Sequence, residues 1–216
     1  MTGPPATIPT VDETRTIPSD PERCAIRVNG RTVARLRAID VETLGIRAGT
    51  AWTDDLASAA ADAAAGDETR RAALRLLARR AYSRHELTTR LAERPFADTI
   101  VDELADAGWL DDAAYATDLA RSLIDRQPAG RELVLRRLAA RGIDPHTATA
   151  AADAALAGVD SHDAALALAR TRALDGTADP KTLRRIAGLL ARRGFDADAI
   201  EFAIDAIARK QSTVDP

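Results

Sequence analysis

The sequence predicts a mainly α-helical protein: three tandem three-helix repeats, preceded by a small extension that contains a β-hairpin. Three observations predict it. Nearly the same phrase recurs three times, as Leu91-Ala92-Glu93-Arg94-Pro95-Phe96, Leu138-Ala139-Ala140-Arg141-Gly142-Ile143 and Leu190-Ala191-Arg192-Arg193-Gly194-Phe195. Phe96, Ile143 and Phe195 lie 47 and then 52 residues apart, a period long enough for about three short helices. Aromatic residues make up only 3% of the chain and alanine is abundant, which suits helices packed through Ala and Leu rather than a β-sandwich. Helix caps punctuate the chain beyond Asp67: Ser83-Arg84-His85-Glu86 reads as a capping box, and Asp144-Pro145 and Asp179-Pro180 place a carboxylate before a first-turn proline.

The elements follow in order. Residues 1–22 hold Pro4, Pro5, Pro9, Pro18 and Pro21 and little apolar surface, so they are expected to be disordered. Residues 23–66 form the extension. Cys24–Val28 and Arg31–Leu36 flank Asn29-Gly30, the strongest short hairpin signal, because a type I′ turn needs two positive φ angles. Gly45 and Gly49 mark turns, and a short helix spans about 52–64, ending at Gly66. Beyond Asp67 everything reads as helix, near 69–80, 84–94, 98–107, 112–126, 131–141, 145–157, 161–174, 180–193 and 197–210. These group as repeats over 67–110, 111–158 and 159–211. Aligned on Phe96, Ile143 and Phe195, the positions five before are Leu91, Leu138 and Leu190, and those five after are Val101, Ala148 and Ile200. The same face is therefore apolar in every copy, and stacked repeats of this kind present a long surface to an extended partner.

A chain of 216 residues can bury roughly 70% of its unfolded surface. The formal charge is −3 and the pI about 5.7. Residues 1–66 carry 7 cations and 9 anions, 67–158 carry 14 and 15, and 159–216 carry 9 and 9. Any electrostatic role must come from segregating the signs onto different faces. The single cysteine, Cys24, excludes a disulfide framework and a thiolate metal site. No run approaches the ~20 apolar residues of a membrane span, and no basic-then-apolar leader is evident, so the expected compartment is the cytoplasm and no membrane partner is expected.

No phosphate loop, dinucleotide fingerprint, zinc-protease or nucleophile-elbow motif occurs, and no cofactor or catalytic residue is expected. Asp111-Asp112 could hold a metal, but magnesium needs further oxygen ligands; the competing reading is that Asp111 caps the helix that follows. Trp109 and Tyr115 either stack bases or, in the preferred reading, fill the seam between the first two triplets. The arginines crowd the opening helices of each triplet, and the closing helices carry acids. The candidate binding set is Arg75, Arg79, Arg80, Arg84, Arg90, Arg121, Arg126, Arg131, Arg136, Arg137, Arg184, Arg185 and Arg192. Arg94, Arg141 and Arg193 fit an ordinary role at helix C-termini. Adjacent pairs such as Arg136-Arg137 repel unless an anion lies opposite.

Four stretches resemble the RecX family, regulators of the RecA recombinase. Ala73–Leu87 is similar to the family's opening signature. Gly108-Trp109-Leu110-Asp111-Asp112-Ala113-Ala114-Tyr115 is similar to its most distinctive stretch, and Gly108, Trp109, Leu110, Asp111, Asp112 and Tyr115 are its structural motif. Gly130–Ile143 and Leu190–Phe195 resemble the later repeat cores. The resemblance spans about 70–210, with Pro95 standing where glycine is usual. It implies an elongated, curved array of three-helix repeats that binds the RecA filament on single-stranded DNA, blocks its growth or promotes disassembly, and damps recombination, ATPase and co-protease activity. The expected state is a monomer that contacts DNA directly only weakly. Two other readings stay open on the residues alone: a stand-alone helical nucleic-acid-binding protein acting without RecA, against which the low pI counts, and a metal-dependent enzyme using Asp111 and Asp112.

Overall fold

The computed structural model describes residues 8–173 and 179–212. It opens with three antiparallel strands in the order β1-β2-β3: β1 (Val11–Ile17), β2 (Asp20–Val28) and β3 (Arg31–Arg37). Among the described residues ten helices follow: α1 (Ala38–Thr43), α2 (Asp54–Leu77), α3 (Arg84–Leu91), α4 (Ala97–Asp106), α5 (Asp112–Arg126), α6 (Arg131–Ala139), α7 (Pro145–Leu156), α8 (Ser161–Arg172), α9 (Pro180–Arg192) and α10 (Ala197–Ser212). The protein is thus mainly helical with an N-terminal sheet.

The expected hairpin is present, with Asn29 at φ 50° and Gly30 at φ 72°. The expectation of disorder over 1–22 is corrected from residue 8 onward; residues 1–7 lie outside the described residues. Val11, Thr14, Thr16 and Ile17 make β1 β-branched, and it pairs with β2 from Val11↔Val28 to Ile17↔Asp20. The prolines do not prevent this. Pro18 falls in the turn, and Pro21 falls where the register jumps from Ile17↔Asp20 to Thr16↔Cys24, before β3 pairing begins at Arg23. No ladder hydrogen bond is therefore demanded of Pro21.

Helix α2 brings a second correction. The sequence reading breaks the chain at Gly66 and sets a domain boundary there, yet one helix of 24 residues runs through it. A helical glycine costs about 1 kcal/mol, too little to stop a helix flanked by Ala63-Ala64-Ala65 on one side and Glu68 to Leu77 on the other. Thr53 caps its start by accepting from the Leu56 amide at 3.2 Å.

The described chain divides into two compact units. Residues up to Arg80, with Leu87–Asp106, form the first. There Val11, Ile26, Leu36, Val41, Ile46 and Ala60 are buried together, with Trp52 and Leu56 packed against them. Asp67, only 4% exposed, lies 3.1 Å from Arg23 Nη2 and 3.4 Å from Arg71 Nε; Arg71 also meets Asp20, and Arg70 meets Glu103 on α4. Residues 81–86, with those from Ala107 onward, form the second. Helices α5–α7 close around Ala116, Ala120, Val134, Leu138, Ile143, Ala148, Ala151 and Ala152. Helices α8–α10 close around Leu166, Leu168, Ile186, Leu190, Phe195 and Ala203.

Two of the three aligned turns share one geometry. Gly142 and Gly194 have φ of 70° and 81°, and the next amides, of Ile143 and Phe195, each reach back to the carbonyl of Leu138 or Leu190 at 3.2 Å, the long-range bond of a Schellman ending. In the first copy Pro95 cannot adopt positive φ, so the left-handed residue moves one place on, to Phe96 at φ 59°. This corrects the expected equivalence: Ile143 and Phe195 are buried, whereas Phe96 is 45% exposed and Ala97 turns inward instead.

Candidate functional site

Helix ends dictate most of the local chemistry. Four helix amides go unbonded at each N-terminus, and Asp111, Asp144, Asp160 and Asp179 each accept from two of them at 2.7–3.0 Å. Asp111 therefore serves as the cap of α5. Asp112 Oδ1 accepts from the Arg84 amide at 2.8 Å, so both carboxylates of the pair are engaged by backbone. Ser83 caps α3, accepting from the Glu86 amide at 3.1 Å.

Within the second unit the starts of α3 and α6 dock on the ends of later helices. Ser83 Oγ donates to the carbonyl of Arg141 at 2.6 Å, and the Gly130 amide donates to the carbonyl of Arg193 at 2.9 Å. Ser83 and Gly130 hold equivalent positions, thirteen before Phe96 and Ile143; Arg141 and Arg193 hold another, two before Ile143 and Phe195. The two arginine side chains also reach toward the earlier segment. Arg141 Nη1 donates to Glu86 Oε1 at 2.5 Å and to the Tyr115 hydroxyl at 3.1 Å, and that hydroxyl donates to Glu86 Oε2 at 2.9 Å. Arg193 donates to the carbonyls of Gln127 and Pro128 at 2.5–3.0 Å. Burial, followed by the neighbouring Arg137 charge, lowers the Arg193 pKa.

The candidate arginines behave otherwise. Arg75, Arg79, Arg80, Arg84, Arg90, Arg121, Arg126, Arg131, Arg136, Arg137, Arg184, Arg185 and Arg192 are all exposed. Arg131 pairs with Asp153 at 2.9 Å, and Arg136 with Glu132 at 2.5 Å. The side chains of Arg75, Arg79, Arg90, Arg121, Arg126, Arg137, Arg184, Arg185 and Arg192 have no such partner among the described residues. Arg136, Arg137, Arg192 and Arg193 come together at the joint, where Arg136 Nη2 donates to the Arg192 carbonyl at 3.1 Å. Beside them lies a cleft of ≈ 460 Å³ lined by Gly130, Leu135, Leu156, Val159 and Phe195, with Glu132 and Arg131 at its edge. The first-unit arginines of α2 and α3 are separate members of the set.

Trp109 overturns its preferred reading. It is 60% exposed rather than filling a seam, because the turn after α4 directs Leu110 inward instead, at 9% exposure. Tyr115 is half-buried and spends its hydroxyl on Glu86 and Arg141. A tryptophan next to a helix cap gives no sequence signal that separates these outcomes; only the packing of Leu110 decides.

These features define a helical-repeat protein in which the starts of α3 and α6 dock on later helix ends through the carbonyls of Arg141 and Arg193. Residues 70–106 match the profile of the RecX first three-helix domain. The regulatory protein RecX of Stenotrophomonas maltophilia (strain R551-3) is 39% identical over 136 residues, covering 61% of this chain and 82% of that protein. The regulatory protein RecX of Mycolicibacterium vanbaalenii is 33% identical over 164 residues, covering 67% and 84%. A crystal structure of regulatory protein RecX aligns with a TM-score of 0.76 at 19% identity, covering 91% of this chain and 99% of that one; the structure of RecX from Lactobacillus salivarius aligns at 0.52 and 21%. The chain belongs to the RecX family of regulatory proteins. None of its helices, among the described residues, is long and apolar enough to cross a membrane.

Proposed function

We propose that this protein is a non-enzymatic negative regulator of the RecA recombinase. It binds the RecA filament on single-stranded DNA, blocks growth or promotes disassembly, and so damps recombination, ATPase and co-protease activity. It acts as a monomer in the cytoplasm, through the helical repeats that follow the N-terminal sheet. The carrying observation is the arginine group at the joint. Arg137 and Arg192 are exposed beside Arg136 and Arg193, and no carboxylate answers them among the described residues, in a chain whose net charge is −3. Arg137 and Arg192, exposed while Arg136 pairs with Glu132, suit an external anion, a DNA phosphate or an acidic loop of RecA. The apolar cleft beside it supplies the non-polar contact that a protein partner requires. The test is the DNA-dependent ATPase of RecA during titration with this protein. Inhibition at or below stoichiometric ratios is expected; full activity at an excess would defeat the reading.

A second reading is supported by Trp109. An exposed indole is suited to stacking on an unpaired base, which favours direct nucleic-acid binding without RecA. Gel shifts on single- and double-stranded DNA separate the two, since tight binding without recombinase would favour the second.

A further inference from the structure

The register of the N-terminal sheet sets Arg15, Ala25 and Arg35 side by side across its three strands. Paired residues project to the same side of a sheet, and here that side is opposite to Ile26 and Leu36, both fully buried. The Ile26 side is covered by Val41 of α1, by Leu44 and Trp52, and by Leu56 and Ala60 of α2. Arg15 and Arg35 are exposed on the other. The adjoining row places Glu13 opposite Arg27, and these two form an ion pair at 3.1 Å.

Most other charges of the sheet are used internally. Asp12 accepts from the Gly30 amide at 2.7 Å, Asp20 pairs with Arg71, Arg23 pairs with Asp67, and Arg37 pairs with Asp40 at 2.6 Å. The Arg15 and Arg35 side chains have no partner among the described residues. Their backbones lie roughly 10 Å apart, twice the strand spacing, with only the Ala25 methyl between them. The result is a flat trough with a guanidinium on each bank.

The chemistry of the trough selects its occupant. The two rows contain no large aliphatic or aromatic side chain, and those form the centre of protein interfaces. The guanidinium fork matches phosphate oxygens. We propose that this open sheet face binds the sugar–phosphate backbone of a nucleic-acid strand, with Arg15 and Arg35 clasping phosphates and Ala25 as the floor. With no aromatic platform, contact is to the backbone and independent of sequence. The surface is distinct from the helical arginines used in the filament reading, and its main test is direct binding to DNA.

The experiment is fluorescence anisotropy of a labelled single-stranded oligonucleotide with the full chain, over a series of salt concentrations. The variant R15Q/R35Q is expected to bind about tenfold more weakly at low salt. The slope of log K against log salt should fall by about 1.4, since each phosphate neutralised on a single strand adds about 0.7. R15E/R35E should bind more weakly still. Unchanged affinity and slope in both variants, with native circular dichroism, overturns the proposal. So does no measurable binding by the unmodified protein. If the variants keep DNA binding but lose capture by RecA, the face serves an acidic protein surface and the proposal is again overturned.

Discussion

The Gly130 amide donates to the Arg193 carbonyl at 2.9 Å, and the space there admits no side chain. A Cβ on Gly130 would stand 2.0 Å from the Gly194 carbonyl oxygen, and one on Gly194 would stand 2.1 Å from the Leu133 nitrogen. The equivalent turn is as tight, since a Cβ on Gly142 would lie 2.2 Å from the Cβ of His85. In both places the start of one helix fills the hydrogen-bonding demand of another helix's end. Helix α9 does not repeat the arrangement. Its cap, Asp179, stands sixteen residues before Phe195, against thirteen for Gly130 before Ile143, so it begins about a turn earlier and caps itself. Terminal members of a repeat array commonly depart from the pattern in this way.

Gly194→Ala is therefore expected to destabilise the protein by roughly 2–4 kcal/mol, combining positive φ in a residue with a Cβ and displacement of close-packed backbone. Gly158→Ala is the control: φ is 77° but no atom lies within 4 Å of the added carbon, so a loss of only about 1 kcal/mol is expected. Urea denaturation midpoints compare the two, and equal losses would contradict the joint.

Phe96 and Phe195 occupy the same place in the repeated phrase but different environments. Phe195→Ala should cost about 3–5 kcal/mol, as for a fully buried aromatic. Phe96→Ala should cost about 1 kcal/mol or less, because the ring is already half in water. Comparable losses at both positions would argue against the one-residue shift at Pro95.

Asp67 answers two arginines from a position only 4% exposed. Asp67→Ala leaves Arg23, whose side chain is 16% exposed, without its carboxylate, and a loss of about 3 kcal/mol is expected. Chemical denaturation measures it; a loss under about 1 kcal/mol would mean the pair contributes no more than a surface ion pair.

Three caps titrate. The Asp144 carboxyl is held below the usual aspartate range chiefly by its bond with the Thr147 hydroxyl, Asp160 by the Asp163 amide, and Asp179 by the Thr182 amide. A lowered folded pKa stabilises the fold fully above the unfolded value of 3.8. That stabilisation is lost as pH falls from there through the folded values. Asp144→Asn keeps a capping oxygen that does not titrate, so its unfolding free energy should depend less on pH in the acid limb. An identical acid limb in circular dichroism melts would count against the cap's contribution.

At the arginine group, R137Q/R192Q should weaken binding to the DNA-bearing filament and lower the salt slope by about 0.7 for each phosphate of the single strand no longer neutralised. Arg131, which pairs with Asp153, should matter less when changed to Gln. A reduced affinity with an unchanged slope would assign the group to protein rather than phosphate.

Much of the helical half was legible in the sequence because its signals are local. Asp144-Pro145 and Asp179-Pro180 cap where they stand, and Gly142 and Gly194 end helices where they stand. The exposure of all thirteen candidate arginines follows from their charge, which stays in water unless it is paired. Less legible was whatever a partner element decides. β1 forms because β2 is there to receive Thr14 and Thr16, although the segment's prolines suggest disorder. Gly66 stays helical because its neighbours favour helix and its own cost is small. Caps and periodicity act within a few residues, so the helical class was already written in the chain, and four local stretches carried the family resemblance. Packing in three dimensions was needed to make Arg141 and Arg193 lock joints while Arg137 and Arg192 stay open, to turn Trp109 outward, and to set Arg15 and Arg35 on either side of Ala25. Those outcomes depend on contacts between residues distant in the chain, and no local pattern encodes them.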